Sequence, residues 1–294
     1  MGILVKMLYS FVICSRILLL CGAASLAMAV HGAIPVGTNG TGVLAFDTLP
    51  LVTEWSTASI FGVSTTITTA EALDAAVQTN AAATITNLLM SNSVSPVTVG
   101  RLAQWSSAGH SIQTRPNSVA ATLLMATFQN LTGTNVSSLR VTYDLDTVLV
   151  TTLDEFGQRV FFSFSGATNS WQFINQFTNA GHITFDLLLG SWTNQGTLYL
   201  LWVDDNSLGA PDNPWIIDNF SADPPPVLNV TRVGSDQIEI YWPFPSEGYA
   251  LNSRDDLNAS TWNVVTNEDR PLGGFHRVSV DASKTTQMFR LEKP

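Results

Sequence analysis

The sequence predicts an all-β fold, and three observations lead to that prediction. Apolar and polar residues alternate with a period of two in several stretches, turn residues separate those stretches, and one segment alone favours helix. Alternation of this kind places one face of a strand against a core and the other in water. Many short strands with frequent turns are typical of a β-sandwich or jelly roll.

The clearest strand patterns lie in the middle of the chain. Residues 139–145 and 183–187 alternate between apolar and polar side chains, and residues 160–164 place three apolar side chains on one face. The stretch 198–202 is apolar on both phases, which predicts a more fully buried strand. Gly133, Gly166 and Gly196 lie in the turns between these segments.

One segment, 69–90, is rich in Ala and Leu, which favour helix. Thr69 is a suitable N-cap residue. We therefore expect a helix from about Ala70 to Val77, with an extension to Met90 as the longer alternative. This helix would lie across a sheet or form an insertion.

A proline run divides the predicted strands into two groups. Pro224, Pro225 and Pro226 form a stiff spacer that cannot donate to a sheet. A second alternating pattern follows, with Ile240 and Trp242 on its apolar phase, and its spacing predicts a small Ig-like or fibronectin-like sandwich. The predicted organisation is a signal peptide (1–29), a flexible N-terminal segment (30–42), a jelly-roll-like β-sandwich with one inserted helix (43–222), a proline linker (223–226) and a small β module (227–294).

The first 29 residues have the pattern of a secretory signal. Lys6 and Arg16 supply positive charge, an apolar stretch follows, and Ala27 and Ala29 occupy the positions that a signal peptidase reads. We predict cleavage after Ala29 and a secreted, extracellular or cell-surface protein. A retained membrane anchor is the alternative interpretation. Both cysteines lie in this segment, so the processed chain would have no disulfide, and no second long apolar segment would hold it in a membrane.

The charge of the processed chain argues against nucleic acid as a partner. The sequence has 13 Lys and Arg against 23 Asp and Glu, and two of the basic residues lie in the signal, which leaves 11 against 23, a formal charge of −12. A polyanion would be repelled by that field.

Two stretches resemble the jelly-roll carbohydrate-binding modules. The opening Leu44-Ala-Phe46-Asp47 followed by Glu54-Trp55 resembles their first strand, and 197–206 leading to 215–221 resembles their final strand. The resemblance implies that the two strands lie close together and that their acids hold a structural Ca²⁺, with Asp47 and Asp218 as ligands. The sequence departs from the pattern in having Asp47 where Glu is more usual and in the extra segment 69–90.

The C-terminal part is similar to fibronectin-like end modules of exported bacterial proteins. The matching residues run from Gly234 to Trp242, then Gly248-Tyr249-Ala-Leu251, and finally Phe289-Arg290-Leu291. This resemblance implies a β-sandwich and no particular activity.

A second group of acids could contribute to a Ca²⁺ site. Asp204 and Asp205 are followed by Asn206 and Asp212 before Asp218 is reached, and Ca²⁺ takes six to eight oxygen ligands. The alternative for Asp204 and Asp205 is a polar turn between two strands.

Tryptophan is the residue that would mark a sugar-binding surface, because an exposed indole can stack on a sugar ring. Trp171 and Trp192 have polar neighbours, which predicts exposure, with Asn169 and Asn194 as hydrogen-bonding neighbours. Trp202, Trp242 and Trp262 lie on apolar phases and are expected in the core. The alternative for Trp171 and Trp192 is an ordinary role as strand anchors.

No catalytic motif is recognisable in the sequence. Serine has no G-x-S-x-G context, the histidines lack zinc-ligand spacing, and HExxH, P-loop and Rossmann patterns are missing. Asp154 and Glu155 fit half of a glycosidase pair or a hairpin turn. The leading hypothesis is a secreted, non-catalytic module that binds carbohydrate or a cell-surface polymer; a structural or adhesive surface protein without a small ligand is the alternative, and a secreted hydrolase the third.

Overall fold

The structure is a computed structural model that describes residues 32–149, 156–206, 212–244, 246, 248–256, 258, 260–283 and 286–292. The predicted signal segment with its two cysteines, and the acids Asp154 and Glu155, lie outside the described residues.

Strands are the main regular structure of the described chain, and one α-helix lies among the described residues. The helix is α1 (Ala70–Gln78). The strands are β1 (Ile34–Val36), β2 (Trp55–Ile60), β3 (Met90–Asn92), β4 (Gln104–Ser106), β5 (Ser111–Thr114), β6 (Ala121–Asn130), β7 (Val136–Thr147), β8 (Gln158–Ser163), β9 (Gln172–Phe173), β10 (Gly181–Trp192), β11 (Thr197–Asp205), β12 (Trp215–Asp223), β13 (Asn229–Arg232), β14 (Gln237–Pro243), β15 (Ala250–Arg254), β16 (Asn263–Val264), β17 (Phe275–Asp281) and β18 (Met288–Glu292).

Two six-stranded sheets form the main sandwich, which confirms the predicted fold class of an all-β sandwich with one helix. The first sheet has the order β1-β6-β11-β8-β9, with β2 also paired to β6. The second sheet has the order β10-β7-β12-β5-β4-β3. Alternation along β7 buries Leu139, Val141 and Tyr143 between the sheets and turns Arg140 and Asp144 to the outer face of the second sheet.

The first sheet is covered on its outer face as well, by α1 and the turn that follows it. The Thr69 hydroxyl accepts a hydrogen bond from the Ala72 N–H at 3.1 Å, as expected for its capping role. Leu73 and Val77 pack against outer-face residues of β6, β8 and β11. This second covering explains why β11 is buried on both faces, as its apolar run predicts.

The longer helix, extended to Met90, does not form. The Asn80 side-chain amide donates to the Ala76 carbonyl at 2.9 Å, and the Thr79 hydroxyl donates to the same carbonyl at 2.7 Å. These bonds satisfy the carbonyl that a further helical turn would use. The β-branched residues 84–86 follow, and β3 begins at Met90.

Part of the segment expected to be flexible, 30–42, is a strand instead. β1 pairs in parallel with the end of β6, and Ile34 and Val36 are buried in the main core. The small, Gly-rich composition of the segment did not predict a strand, but removing these two apolar side chains from water favours the ordered strand.

Stacked aromatic side chains fill the centre of the sandwich. Trp202 stacks on Trp55 with ring centroids 5.6 Å apart, and both pack against Phe220. The Trp202 indole N–H donates to the Tyr143 hydroxyl at 3.3 Å, and that hydroxyl donates to the Phe177 carbonyl at 3.0 Å. Burial raises the pKa of Tyr143 well above its ordinary value, so this bonded phenol stays neutral.

Residues after the proline run form two three-stranded sheets, β13-β14-β17 and β16-β15-β18. Ile240 and Trp242 lie in their small core with Leu251, as the alternation predicts. The expectation that Trp262 lies in the core is wrong: it is half-buried, with the guanidinium groups of Arg254 and Arg290 4.4 and 4.3 Å from its ring centroid.

Candidate functional site

The two tryptophans predicted to be exposed are buried. Trp171 is 4% exposed and its indole N–H donates to the Asn80 carbonyl at 2.8 Å. Trp192 is 1% exposed and donates to the Gly196 carbonyl at 3.0 Å. The expectation of exposure is wrong because polar sequence neighbours do not outweigh the large apolar area that an indole buries. The two indoles lie in separate hydrophobic clusters and share no groove.

The two predicted asparagine neighbours serve the backbone of turns. Asn169 has a left-handed backbone with φ of 60°, and its N–H donates to the Gln78 carbonyl at 2.8 Å. The Asn194 side-chain oxygen accepts from the Gly133 N–H at 3.1 Å, and the Asn194 N–H donates to the Asn135 side-chain oxygen at 3.1 Å. Asn194 therefore supports the loop 131–135.

A buried amide fixes the same loop from beneath. The Asn130 side-chain N–H groups donate to the carbonyls of Thr134 at 2.9 Å and Trp192 at 3.0 Å. Its oxygen accepts from the N–H of Thr132 at 3.0 Å and from the hydroxyl of Thr132 at 2.8 Å. Asn130 is fully buried, so these bonds give the loop one preferred conformation.

The loop 131–135 forms one wall of a cavity of about 580 Å³, which we call the proline–aromatic cleft. Its other walls are the proline run and the sheet that contains β14 and β17. The cleft is lined by Thr38, Thr132, Thr134, Asn135, Val136, Ser137, Pro224, Pro225, Pro226, Val227, Asn229, Tyr241, Pro243 and Phe275. The volume falls within the range of small-ligand sites.

Two half-buried rings form the aromatic wall of the cleft. Tyr241 and Phe275 meet edge to face, with centroids 5.6 Å apart and planes at 83°. The Arg277 guanidinium lies 5.2 Å from the Tyr241 ring centroid and bonds to Glu239 at 2.5 Å. Apolar rings and prolines thus face a rim of hydroxyl and amide groups.

Sequence reasoning missed both rings. Tyr241 falls on the polar phase of the alternation, opposite Ile240 and Trp242, and it is half-buried there. An aromatic residue on a solvent-facing phase is itself a signal for a binding surface, because its apolar area is left for a partner to cover. Phe275 gives no such signal, because the apolar alternation of its strand is carried by Val278 and Val280.

The acids Asp47 and Asp218 are brought to one region, the outer face of the second sheet. Leu44 and Phe220 exchange backbone hydrogen bonds of 2.7 and 3.1 Å, so the segment before Asp47 runs along β12, as the resemblance implies. The Asp47 carboxylate lies 3.5 Å from the His110 ring nitrogen. We call the group Asp47, His110, Asp144, His182 and Asp218 the carboxylate face.

Asp144 is the hydrogen-bonded centre of the carboxylate face. It lies opposite Asp218 in the register of β7 and β12. One oxygen is 2.7 Å from His182 Nδ1 and the other accepts from the Asn219 side chain at 2.8 Å. These bonds lower the pKa of Asp144. Burial raises the pKa of Asp218, and the charges of Asp144 and Asp47 act in the same direction.

The predicted Ca²⁺ site stays a prediction. In the part of the chain that the structure describes, no three His, Cys, Asp or Glu side chains are arranged to hold a metal ion. Asp204 and Asp205 belong to the end of β11 in the first sheet and are buried, whereas Asp218 belongs to the second sheet. The expectation of a polar turn at Asp204 and Asp205 is wrong, because both acids continue a strand paired with β6.

A second cavity, of about 550 Å³, lies on the outer side of the first sheet. Small residues of the segments 81–83 and 165–167 line it together with Tyr199. Trp171 packs against Tyr199 with centroids 6.4 Å apart and so stands behind this wall.

Comparisons with known proteins give weak structural neighbours only. No protein-family model matches the chain, and no curated protein matches it. The chain is similar to a β-1,2-glucanase from Parabacteroides distasonis (12% identity, TM-score 0.26, covering 63% of this chain and 33% of that one). It is also similar to the glycoside hydrolase domain of Endo-D from Streptococcus pneumoniae R6 (14%, 0.25, 62% and 28%) and to the adhesin domain of Epf from Streptococcus pyogenes (9%, 0.26, 62% and 76%).

The chain spans a third or less of the length of the two hydrolases. Matches at these TM-scores do not assign a function. Within the described ranges, no helix has the length and apolar character that a membrane span requires.

Proposed function

We propose that this chain is an exported, non-catalytic module that binds a hydroxyl-rich polymer, such as a polysaccharide, in the proline–aromatic cleft. The observation that carries the proposal is the composition of that cleft: two aromatic rings and four prolines opposite a rim of hydroxyl and amide groups. This function would agree with the resemblance of the sequence to jelly-roll carbohydrate-binding modules and fibronectin-like modules.

The chemistry of the cleft suits a sugar chain. Sugar rings present C–H faces that pack on aromatic rings, and hydroxyl groups that exchange hydrogen bonds with Thr, Ser and Asn side chains. The bonds from Asn130 and Asn194 hold the polar rim in place before a ligand arrives. A preformed wall lowers the entropy lost on binding.

The cleft lining favours binding over catalysis. Its residues, all within the described chain, include no Asp, Glu, His, Cys or Lys. The hydroxyl groups of the lining are weak nucleophiles unless a neighbouring base takes up their proton, and the described lining supplies no such base. A bound polymer would therefore be held without being cut at this position.

The test is binding of the processed protein to a panel of soluble polysaccharides, measured by affinity electrophoresis and calorimetry. Tyr241→Ala and Phe275→Ala should each weaken binding about tenfold, which corresponds to about 1.4 kcal/mol. Ser137→Trp, at an exposed rim position of β7, should block the cleft without removing a packed ring.

Two control variants separate the possible outcomes. Phe61→Ala removes a ring that is 86% exposed and lines neither large cavity, so it should leave affinity unchanged. Tyr199→Ala removes the ring of the second cavity. If Tyr199→Ala abolishes binding and the three cleft variants do not, the site has been misplaced. A panel without any bound polymer, together with self-association of the protein, would instead favour the adhesive alternative.

A further inference from the structure

We infer that the proline–aromatic cleft selects uncharged polysaccharide chains and discriminates against carboxylated, sulfated or phosphorylated ones. This inference rests on the proposed function and adds the chemical class of its ligand. It is carried by the charges around the cleft.

The cleft lining offers an anion no counter-charge. Every described residue that lines it has an uncharged side chain. Among the described residues, Arg277 is the cation that lies against the aromatic wall, with its guanidinium 5.2 Å from the Tyr241 centroid and 5.9 Å from that of Phe275. The Arg277 Nη1 already bonds to Glu239 at 2.5 Å, so the pair adds no net charge. An anionic sugar would lose water in the cleft without gaining an ion pair.

The rest of the sandwich adds a long-range repulsion. Residues 32–226 contain four arginines and no lysine against fourteen Asp and Glu, a formal charge of −10. Such a net charge lowers the local concentration of anions around the protein.

Three of these four arginines are also occupied. Arg140 makes two bonds to Asp186 at 2.8 and 2.7 Å, and Arg159 makes two to Asp74. Arg115 donates to two backbone carbonyls. They have little capacity left to recruit a polyanion.

The cleft does not select a positively charged polymer either. A polycation would be attracted to the acidic sandwich as a whole, yet the part of the cleft lining that the structure describes holds no carboxylate to pair with an amine. Direct contacts in the cleft therefore match a neutral chain best, with hydrogen bonds to the threonine and asparagine rim and ring packing on Tyr241 and Phe275.

The experiment compares polymers that share one backbone. A neutral glucan, or whichever neutral polymer the panel identifies, is measured beside its carboxymethylated and sulfated derivatives. The neutral polymer should bind at least about tenfold more tightly at low salt. The difference in affinity between the neutral and anionic polymers should narrow as salt is raised to about 0.15 M, where the screening length is about 8 Å. It should not vanish, because screening does not supply the counter-charge that the cleft lacks.

A variant with a new cation tests the local part of the argument. Thr134→Lys places an ammonium group at the rim, and it should raise the affinity for the carboxymethylated derivative severalfold and lower that for the neutral chain. Thr65→Lys changes the net charge equally at an exposed position outside the cleft and should do neither.

The outcomes distinguish this inference from the proposed function. Equal binding of neutral and anionic derivatives, or a preference for the anionic ones, overturns the inference and leaves the proposed function standing. Failure of every polymer to bind overturns the proposed function, and the inference with it. An equal response of both lysine variants shows that net charge alone, rather than the cleft lining, sets the selectivity.

Discussion

Asn130→Ala is the substitution that most directly tests how the cleft wall is built. The change removes a buried amide that makes four side-chain hydrogen bonds. It leaves the Trp192 carbonyl, the Thr134 carbonyl and the Thr132 N–H without this partner. The Trp192 bond is buried, whereas the bonds to Thr134 and Thr132 are partly buried.

The magnitude follows from the burial of each abandoned group. A buried polar group that loses its partner costs about 1–3 kcal/mol, and a partly buried one that water can reach costs about 0.5–1 kcal/mol. One group of the first kind and two of the second give a loss of about 2–5 kcal/mol in the free energy of unfolding. Urea titration should show a lower midpoint at an unchanged slope.

Asn194→Ala is the matched control. Its side-chain oxygen accepts one exposed bond from the Gly133 N–H, which water can replace, so the stability loss should stay below about 1 kcal/mol. Both variants loosen the loop 131–135 and should weaken polymer binding. Equal stability losses for the two variants, or a loss below about 1 kcal/mol for Asn130→Ala, would refute the reasoning.

Three further predictions concern the carboxylate face and the buried indole. Asp218→Asn should raise the melting temperature near pH 7 in the presence of a chelator. The pKa of Asp218 is higher in the folded than in the unfolded state, so this group favours folding below its unfolded pKa and opposes folding above its folded pKa, where it is charged. The same substitution should remove any rise in melting temperature with Ca²⁺. Asp144→Asn should lower the melting temperature near neutral pH. The deficit should shrink as pH falls through the lowered pKa of Asp144, since the bonds from His182 and Asn219 favour the carboxylate over its protonated form. Trp171→Ala should cost about 3–5 kcal/mol of stability, measured by urea titration, and leave the polymer affinity of the folded fraction unchanged; a selective loss of affinity would restore Trp171 to the binding site.

The period-two pattern predicted β7 and β10 because each has one face in a core and one in water. The same rule failed for β1, where a three-residue strand is too short to show a period. It also could not show that α1 covers the outer face of the first sheet, since the covering of a second face depends on which segments fold back onto it. That information is tertiary and is not contained in the local pattern.

The site was harder to predict than the fold. The adjacency of Asp47 and Asp218 followed from the resemblance, and the paired backbone bonds of Leu44 and Phe220 produce it. Asp144 and His182 were not expected there, although both lie on polar phases of β7 and β10, because the register of two strands decides which polar residues meet. The cleft joins segments as far apart as Thr38 and Phe275, and no local sequence window contains both.

Tryptophan count was a poor guide to a sugar-binding surface in this chain, and the reason is physical. An indole in a sandwich of this size gains most by entering the core, and Trp55, Trp192 and Trp202 all do so. A tyrosine on the outward phase of a strand cannot enter that core without reversing the register. Tyr241 therefore stays at the surface, where Phe275 and the prolines cover part of its ring. The area that they leave open is what a neutral sugar face would cover, and the affinity lost in Tyr241→Ala measures its contribution.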